Sequence, residues 1–165
     1  RTRRLALRGD DHTRRTGVRV TDDPEYDTDF RKNPEEYEVG RSCEGVFKIQ
    51  PYKDELLPLW SYADEGAAEE SADALLEAFY DYLDEDDFVG ADMARKYLRM
   101  GYTRAMRYAK YPGGKKYKDG EEREPEEWAD SEKRRAAVVF EKAWMEAREN
   151  EEYRRMREEH RNEKD

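Results

Sequence analysis

The chain has 165 residues, enough for one domain with its own core, and 45% of them are charged against 36% that are hydrophobic. A single cysteine, Cys43, excludes an intramolecular disulfide framework and a multi-thiolate metal site, and it favours a reducing, intracellular compartment. The sequence contains no run of about 18 apolar residues, so we expect no membrane-spanning helix. The net charge is −10, and it is distributed unevenly.

The N-terminal residues differ in composition from the rest of the chain. Residues 1–19 contain seven Arg and two Asp, show almost no apolar periodicity, and begin with Arg rather than Met. We interpret residues 1–22 as a disordered basic arm, as a remnant of organelle targeting, or as a gene-model artefact. Residues 23–165 are predicted to form a single α-rich domain that ends in a charged helix.

The region between residues 33 and 60 mixes helical and extended signals. In "NPEEYEVG", Asn33 and Pro34 are typical of a helix start, so a short helical turn that ends by Gly40 is predicted. The β-formers in "VFKI", residues 46–49, predict a strand that ends before Pro51. This strand is the main β signal in the sequence.

Helical patterns dominate after residue 70. Ser71 is a candidate N-cap for a helix whose apolar residues recur at positions 75, 76, 79 and 83. The next helix is predicted from Asp92, with an apolar arc of about 120° that has Gly101 in its middle, where a missing side chain would let another helix approach. A third helix starts near Asp130 or Ser131, and Asn150 opens a last, highly charged segment.

Several sequence blocks are similar to a known family. "YEVGRSCEGVFKIQPYKDELLPLW", "DFVGADMARKYLRMGYTRAMRYAKYPGGKKY" and "SEKRRAAVVFEKAWMEAREN" resemble, in this order, the blocks of an uncharacterised family catalogued as domain of unknown function 4385. The resemblance covers residues 26–153, with one departure at "GRSCEG", where the family pattern has more glycine. It implies a compact fold and no particular reaction.

Residues 92–118 contain nine Lys or Arg and one Asp, within an otherwise acidic protein. On a helical wheel, Arg95, Lys96, Arg99, Arg107 and Lys110 fall within about 120° of one another, opposite the apolar arc. We refer to this basic face of the helix as the basic ridge. Tyr102, Tyr111 and Tyr117 are interleaved with them. The candidate anion- or phosphate-binding residues are Arg95, Lys96, Arg99, Arg107, Lys110, Lys115 and Lys116.

Three interpretations of this basic ridge remain open. It could be the ordinary charged face of an amphipathic helix, it could bind an acidic protein partner, or it could bind a phosphate-bearing ligand, since Arg fits planar phosphate contacts and Tyr can stack on bases. The net charge of −10 repels a polyanion everywhere except along the ridge. We expect a soluble α+β, predominantly α domain, with a small N-terminal strand and turn region packed on three or four helices, that binds a phosphate-bearing partner, with nucleic acid as the leading candidate.

Signals of catalysis are weak. The sequence contains no phosphate-binding glycine loop, no dinucleotide fingerprint and no zinc-protease motif, and it predicts no cofactor and no metal. His12 and His160 lie in the arm and in the charged tail. Glu44 and Asp92, as acid/base groups beside the basic ridge, would serve phosphoryl-transfer or nuclease chemistry. This enzyme is a third alternative.

Overall fold

The computed structural model describes residues 28–40, 45–125 and 130–164. The basic arm predicted at residues 1–22 lies outside the described residues, as do Cys43 and Glu44. Five α-helices and one β-hairpin make up the regular structure of the described part. They are α1 (Tyr52–Leu56), α2 (Glu65–Asp84), α3 (Phe88–Lys110), β1 (Tyr117–Lys118), β2 (Glu121–Glu122), α4 (Ser131–Arg148) and α5 (Glu151–Lys164).

Helix α3 is at the centre of the fold. It packs against α2 and α4, which also pack against each other, and it contacts α5 and α1. Every residue from Phe88 to Leu98 is buried, so the N-terminal half of α3 is covered on all sides. The N-terminal segment contributes Phe30, Tyr37 and Val46 to the same core. The expected class, α+β and predominantly α, is therefore confirmed.

Aspartates cap three helices. The side chains of Asp64, Asp87 and Asp130 accept hydrogen bonds from the backbone N–H three residues later, at the start of α2, α3 and α4 respectively. Each carboxylate satisfies a donor that the helix itself leaves unpaired and lies at the positive end of the helix dipole. The predicted start of α4 at Asp130 or Ser131 is confirmed. The short helical turn predicted after Asn33 is present as a 3₁₀ turn, Pro34–Glu36, but it ends four residues before the predicted Gly40.

Two local predictions were wrong. The strand predicted at residues 46–49 is absent, because Val46–Lys48 form a turn of 3₁₀ helix. Next to this turn, Asp29 and Gln50 form an isolated parallel β-bridge. The two short antiparallel strands lie instead in the hairpin after α3. Ser71 does not cap α2, because the helix begins six residues earlier; its hydroxyl accepts a hydrogen bond from the backbone N–H of Ser61 at 3.1 Å.

A partly buried ion pair joins the N-terminal segment to the helices. The guanidinium of Arg31 donates two hydrogen bonds of 2.7 Å to the carboxylate of Glu55 on α1. Glu55 also accepts a 2.6 Å bond from the hydroxyl of Tyr82 on α2. The Glu55 carboxylate is almost fully buried, and an unpaired charge in that position would be strongly destabilising. The two hydrogen bonds from Arg31 and the one from Tyr82 provide the partners that it needs.

Candidate functional site

The structure does not place the predicted basic ridge on one surface. Arg95 and Lys96 are buried, with only 9% and 5% of their surface exposed, and Arg99 is half-buried. Arg107 and Lys110, in the last turn of α3, are exposed. An exposed ridge that runs from residue 95 to residue 110 is therefore wrong. Arg95 and Lys96 are buried because other parts of the chain, including α5 and the N-terminal segment, pack over the first half of α3.

Arg95 belongs to a buried cluster around Asp92. The two oxygens of this fully buried carboxylate accept four hydrogen bonds. Tyr37 donates to Oδ2, Tyr153 donates to Oδ1 at 2.5 Å, and Arg95 donates to Oδ1 through Nε and Nη2 at 3.0 and 2.9 Å. Asp92 thus joins α3 to α5 and to the N-terminal segment.

The surroundings of Asp92 determine its charge. Burial alone would raise the pKa of Asp92, but the positive charges of Arg95 and Lys96 and the hydroxyls of Tyr153 and Tyr37 outweigh it, so the pKa lies below its usual value. The carboxylate is ionised, enclosed and bonded at both oxygens. This arrangement suits a structural anchor, and it does not offer the accessible acid/base group that the sequence suggested. Its proposed partner Glu44 lies outside the described residues.

His160 belongs to the same region, whereas the sequence placed it in an exposed tail. It is 8% exposed, and its ring centroid lies 4.9 Å from that of Phe88. Nε2 lies 2.6 Å from the backbone carbonyl oxygen of Tyr37. Because a carbonyl can only accept, Nε2 is the donor and carries a proton. The spacing of Tyr153, Met156 and His160 on α5 was the available signal for this buried face.

The other half of the predicted ridge borders a cleft of about 670 Å³ around the C-terminal half of α3. We refer to it as the basic cleft. Its lining residues are Tyr62, Tyr102, Thr103, Arg104, Met106, Arg107, Tyr108, Lys110, Tyr111, Gly114 and Lys116. Four of these side chains are cationic, four are tyrosines, and no lining residue is an Asp or Glu. Of the predicted residues, it therefore brings together Arg107, Lys110 and Lys116, while Lys115 is exposed nearby.

The cations of the basic cleft have few carboxylate partners. Within residues 28–40, 45–125 and 130–164, no ion pair involves Arg104, Arg107 or Lys110. Arg107 Nε donates to the carbonyl oxygen of Gly114 at 2.8 Å, which holds the side chain while its terminal nitrogens remain available. Lys116 Nζ lies 3.9 Å from a carboxylate oxygen of Glu122, at the limit of an ion pair.

Packing holds the tyrosine rings of the basic cleft. Tyr108 lies so close to Gly114 that a Cβ there would come within 2.7 Å of the ring, and Gly114 has a φ of +74°, which favours glycine. Lys133 Nζ lies 5.3 and 5.2 Å from the ring centroids of Tyr62 and Tyr108. On the other side, Tyr102 stacks on the Trp144 ring, with centroids 5.7 Å apart.

Part of the basic cleft was not predictable from the helix alone. Arg104 is exposed, and its guanidinium carbon lies 5.2 Å from the centroid of the Trp60 ring. Tyr62 comes from the segment before α2. The turn residues of "YPGG", positions 111–114, directly follow the end of α3 at Lys110, but their sequence does not show that Gly114 packs against Tyr108.

Two other clefts have mixed charge. One, of about 800 Å³ beside α5, places Glu38 and Glu158 among Arg154, Arg157 and Arg161. Another, of about 350 Å³, is bordered mainly by acidic residues of the α2–α3 turn and α5. The part of the chain that the structure describes contains no cluster of three or more metal-ligating side chains and no helix long and apolar enough to cross a membrane.

The comparisons with known proteins agree with the sequence blocks quoted above. Residues 21–163 match the family model described as Domain of unknown function (DUF4385), so the chain belongs to this family. No curated protein and no solved structure matches the chain.

Proposed function

We propose that this protein binds a phosphate-bearing partner, with nucleic acid as the leading candidate, through the basic cleft. One observation carries the proposal: Arg104, Arg107, Lys110 and Lys116 line one cleft that has no carboxylate among its lining residues. In a protein with a net charge of −10, a cleft lined by four cations and by no acidic residue is unusual. Their mutual repulsion is relieved when an anion binds between them.

The helix dipole accounts for only part of this charge. Arg107 and Lys110 lie in the last turn of α3, where cations offset the partial negative charge of the helix C-terminus. Arg104 lies a turn earlier, and Lys116 lies beyond the helix, so the dipole does not require either of them. The arginines favour phosphate, because a guanidinium donates two parallel hydrogen bonds to a planar pair of oxygens.

An acidic protein surface is the alternative partner, since it would supply carboxylates to the same cations. Three of the tyrosines of the basic cleft, Tyr62, Tyr102 and Tyr108, are half-buried, and they favour a ligand with planar rings over a carboxylate chain. A binding experiment distinguishes the two kinds of partner. A fluorescent single-stranded oligonucleotide of about 12 nucleotides and a fluorescent poly-glutamate peptide are each titrated with the protein, and binding is measured by fluorescence anisotropy.

The test variant is Arg107→Glu/Lys110→Glu. Both residues are exposed, so the fold should be retained, and thermal melting verifies this. A matched control, Lys32→Glu/Lys142→Glu, changes the net charge equally at two exposed lysines outside the basic cleft. We expect oligonucleotide affinity to fall at least tenfold in the first variant and only slightly in the second.

The salt dependence of binding provides a second measurement. For single strands, the logarithm of the affinity falls with the logarithm of the salt concentration by roughly 0.7 per phosphate contacted. Three or four contacts then predict a slope of about −2 to −3 for the wild type, and about −1 for the variant. The proposal is overturned if the wild type does not bind near physiological salt, or if both double variants bind alike. Binding of poly-glutamate alone would identify the acidic-partner alternative.

A further inference from the structure

The basic cleft combines a strip of exposed polar residues with tyrosines on both of its sides. On α3, Thr103, Arg107 and Lys110 lie within about 60° of one another around the helix axis. All three are exposed. Tyr102 lies about 80° or more to one side of this strip, and Tyr108 about 100° or more to the other. A ligand whose anionic group contacts the strip would therefore have a ring beside it in either direction.

The rings are fixed before any ligand binds. Tyr102 is stacked on Trp144 with an interplanar angle of 23°, and Tyr108 is packed between Gly114 and Lys133. Both rings are half-buried, so part of each remains open to the cleft that it lines. Tyr62 and Tyr108 have centroids 6.2 Å apart with planes tilted by 43°, which leaves no parallel gap between them. A planar group would stack on the open side of one ring.

The dimensions of the basic cleft limit what it can hold. From Thr103 to Lys110 the helix rises by about 10 Å, which is short compared with the repeat of roughly 34 Å along a DNA duplex. The volume of about 670 Å³ is in the range of small-molecule sites. A duplex would present only phosphates to this surface, since its bases are stacked inside, and the tyrosines would then have no partner.

From this arrangement we infer that the basic cleft binds an unstacked nucleotide unit within a single-stranded segment of nucleic acid. The phosphate contacts Arg107 and Lys110, while the base stacks on Tyr102 or on the Tyr62–Tyr108 pair. This inference rests on the proposed function and adds the class of ligand to it.

The experiment compares three fluorescent probes of equal length at one salt concentration: a single-stranded oligonucleotide, its duplex, and an abasic strand that retains every phosphate. Stacking of one base on an aromatic side chain is worth about fivefold or more in affinity. We therefore expect the wild type to bind the single strand at least fivefold more tightly than the abasic strand, and more tightly than the duplex.

Two variants test the rings themselves. At least one of Tyr62→Leu and Tyr102→Leu should weaken binding of the single strand, and neither should change binding of the abasic strand. Tyr80→Leu is the matched control, because Tyr80 is an exposed tyrosine on α2 that lies outside the cleft lining. If a leucine variant melts at a lower temperature, the comparison of base-containing and abasic strands on the wild type still decides.

The outcomes separate the two hypotheses. Equal affinity of the wild type for all three probes would overturn the stacking inference while leaving phosphate binding intact. A tighter duplex would do the same. If no phosphate-bearing probe binds, the proposed function fails together with the inference.

Discussion

Gly101 on α3 faces the ring of Phe140 on α4 so closely that a Cβ at residue 101 would come within 2.5 Å of the ring's Cδ1. Phe140 is fully buried, and α3 and α4 pack along much of their length. The glycine therefore allows the ring to rest on the helix backbone. This contact sets the distance between α3 and α4 at this point.

Replacing Gly101 with Ala should destabilise the protein by about 1–3 kcal/mol, because the ring must move away from a methyl group that it overlaps. The gain in helix propensity, about 1 kcal/mol, opposes this and does not cancel it. Urea unfolding measures the difference. As a control, Gly66→Ala on α2 meets nothing nearer than 3.7 Å and should be neutral or stabilising by up to about 1 kcal/mol. A more stable Gly101→Ala protein would contradict the observed approach.

Phe140 and Trp144 should differ in importance, although both lie on α4. Phe140→Ala removes a fully buried ring and should cost about 3–5 kcal/mol. Trp144 is only half-buried, so Trp144→Ala should cost less. The cost of Gly101→Ala should also shrink when Phe140 is already Ala, because the overlapping ring is gone. Chemical denaturation of the single and double variants tests both statements.

Asp92→Asn should lower the free energy of unfolding at pH 7 by about 3–5 kcal/mol, because it removes the charged carboxylate with which buried Arg95 pairs. The folded pKa of Asp92 lies below the unfolded value of about 3.9, so its stabilisation is complete at neutral pH and is lost as the pH falls through the folded pKa. The gap between wild type and variant should therefore narrow below about pH 4. Exposed Asp73→Asn is the control, and a gap that widens in acid would show that the sign is wrong.

Asp87→Ala should destabilise the protein more than Asp64→Ala, although both aspartates cap a helix. Losing a cap costs about 1 kcal/mol. Asp87 also accepts a 2.7 Å hydrogen bond from the hydroxyl of fully buried Tyr52, and leaving that donor unpaired costs about 1–3 kcal/mol more. The double variant Asp87→Ala/Tyr52→Phe should recover part of the loss. Equal costs for the two single caps, measured by urea unfolding, would show that the tyrosine contact is unimportant.

Deleting residues 1–19 should leave the melting temperature unchanged, because this arginine-rich sequence has no apolar face to bury. Calorimetry of the full chain and of a chain that begins at Val20 makes the comparison. A decrease of several degrees would indicate that the arm packs on the domain.

Elements with a regular apolar spacing were predictable. In α4, the buried residues Ala136, Phe140, Ala143 and Ala147 follow one face, and Asp130 marks the start as a cap. Gly101 was correctly predicted as a point of close approach. These features depend on local spacing, which a sequence displays directly.

Features that depend on partners distant in the chain were not predictable. Within the described residues no strand pairs with the β-formers at residues 46–49, and Val46–Lys48 form a 3₁₀ turn instead. A helical wheel assigned Arg95 and Lys96 to solvent, because it could not show that α5 would cover them. Of the basic cleft, Arg107, Lys110 and Lys116 were predicted, whereas Tyr62 needed the tertiary fold. Charge alone did not separate a buried anchor from an exposed site.

The attachment of α5 suggests a way to divide the protein in two. One face of this helix inserts Tyr153, Met156 and His160 into the core. The Tyr153 hydroxyl donates to Asp92, 61 residues earlier in the chain, and the His160 imidazole donates to the backbone carbonyl of Tyr37, 123 residues earlier. Only Glu149 and Asn150 connect α4 to α5. If the chain were cut there and α5 removed, the groove that α5 occupies would be exposed, with the Asp92 carboxylate at its bottom. A synthetic α5 peptide would carry the hydrogen-bond donors that bind in this groove. Recombining the two fragments would turn an intramolecular contact into a measurable association.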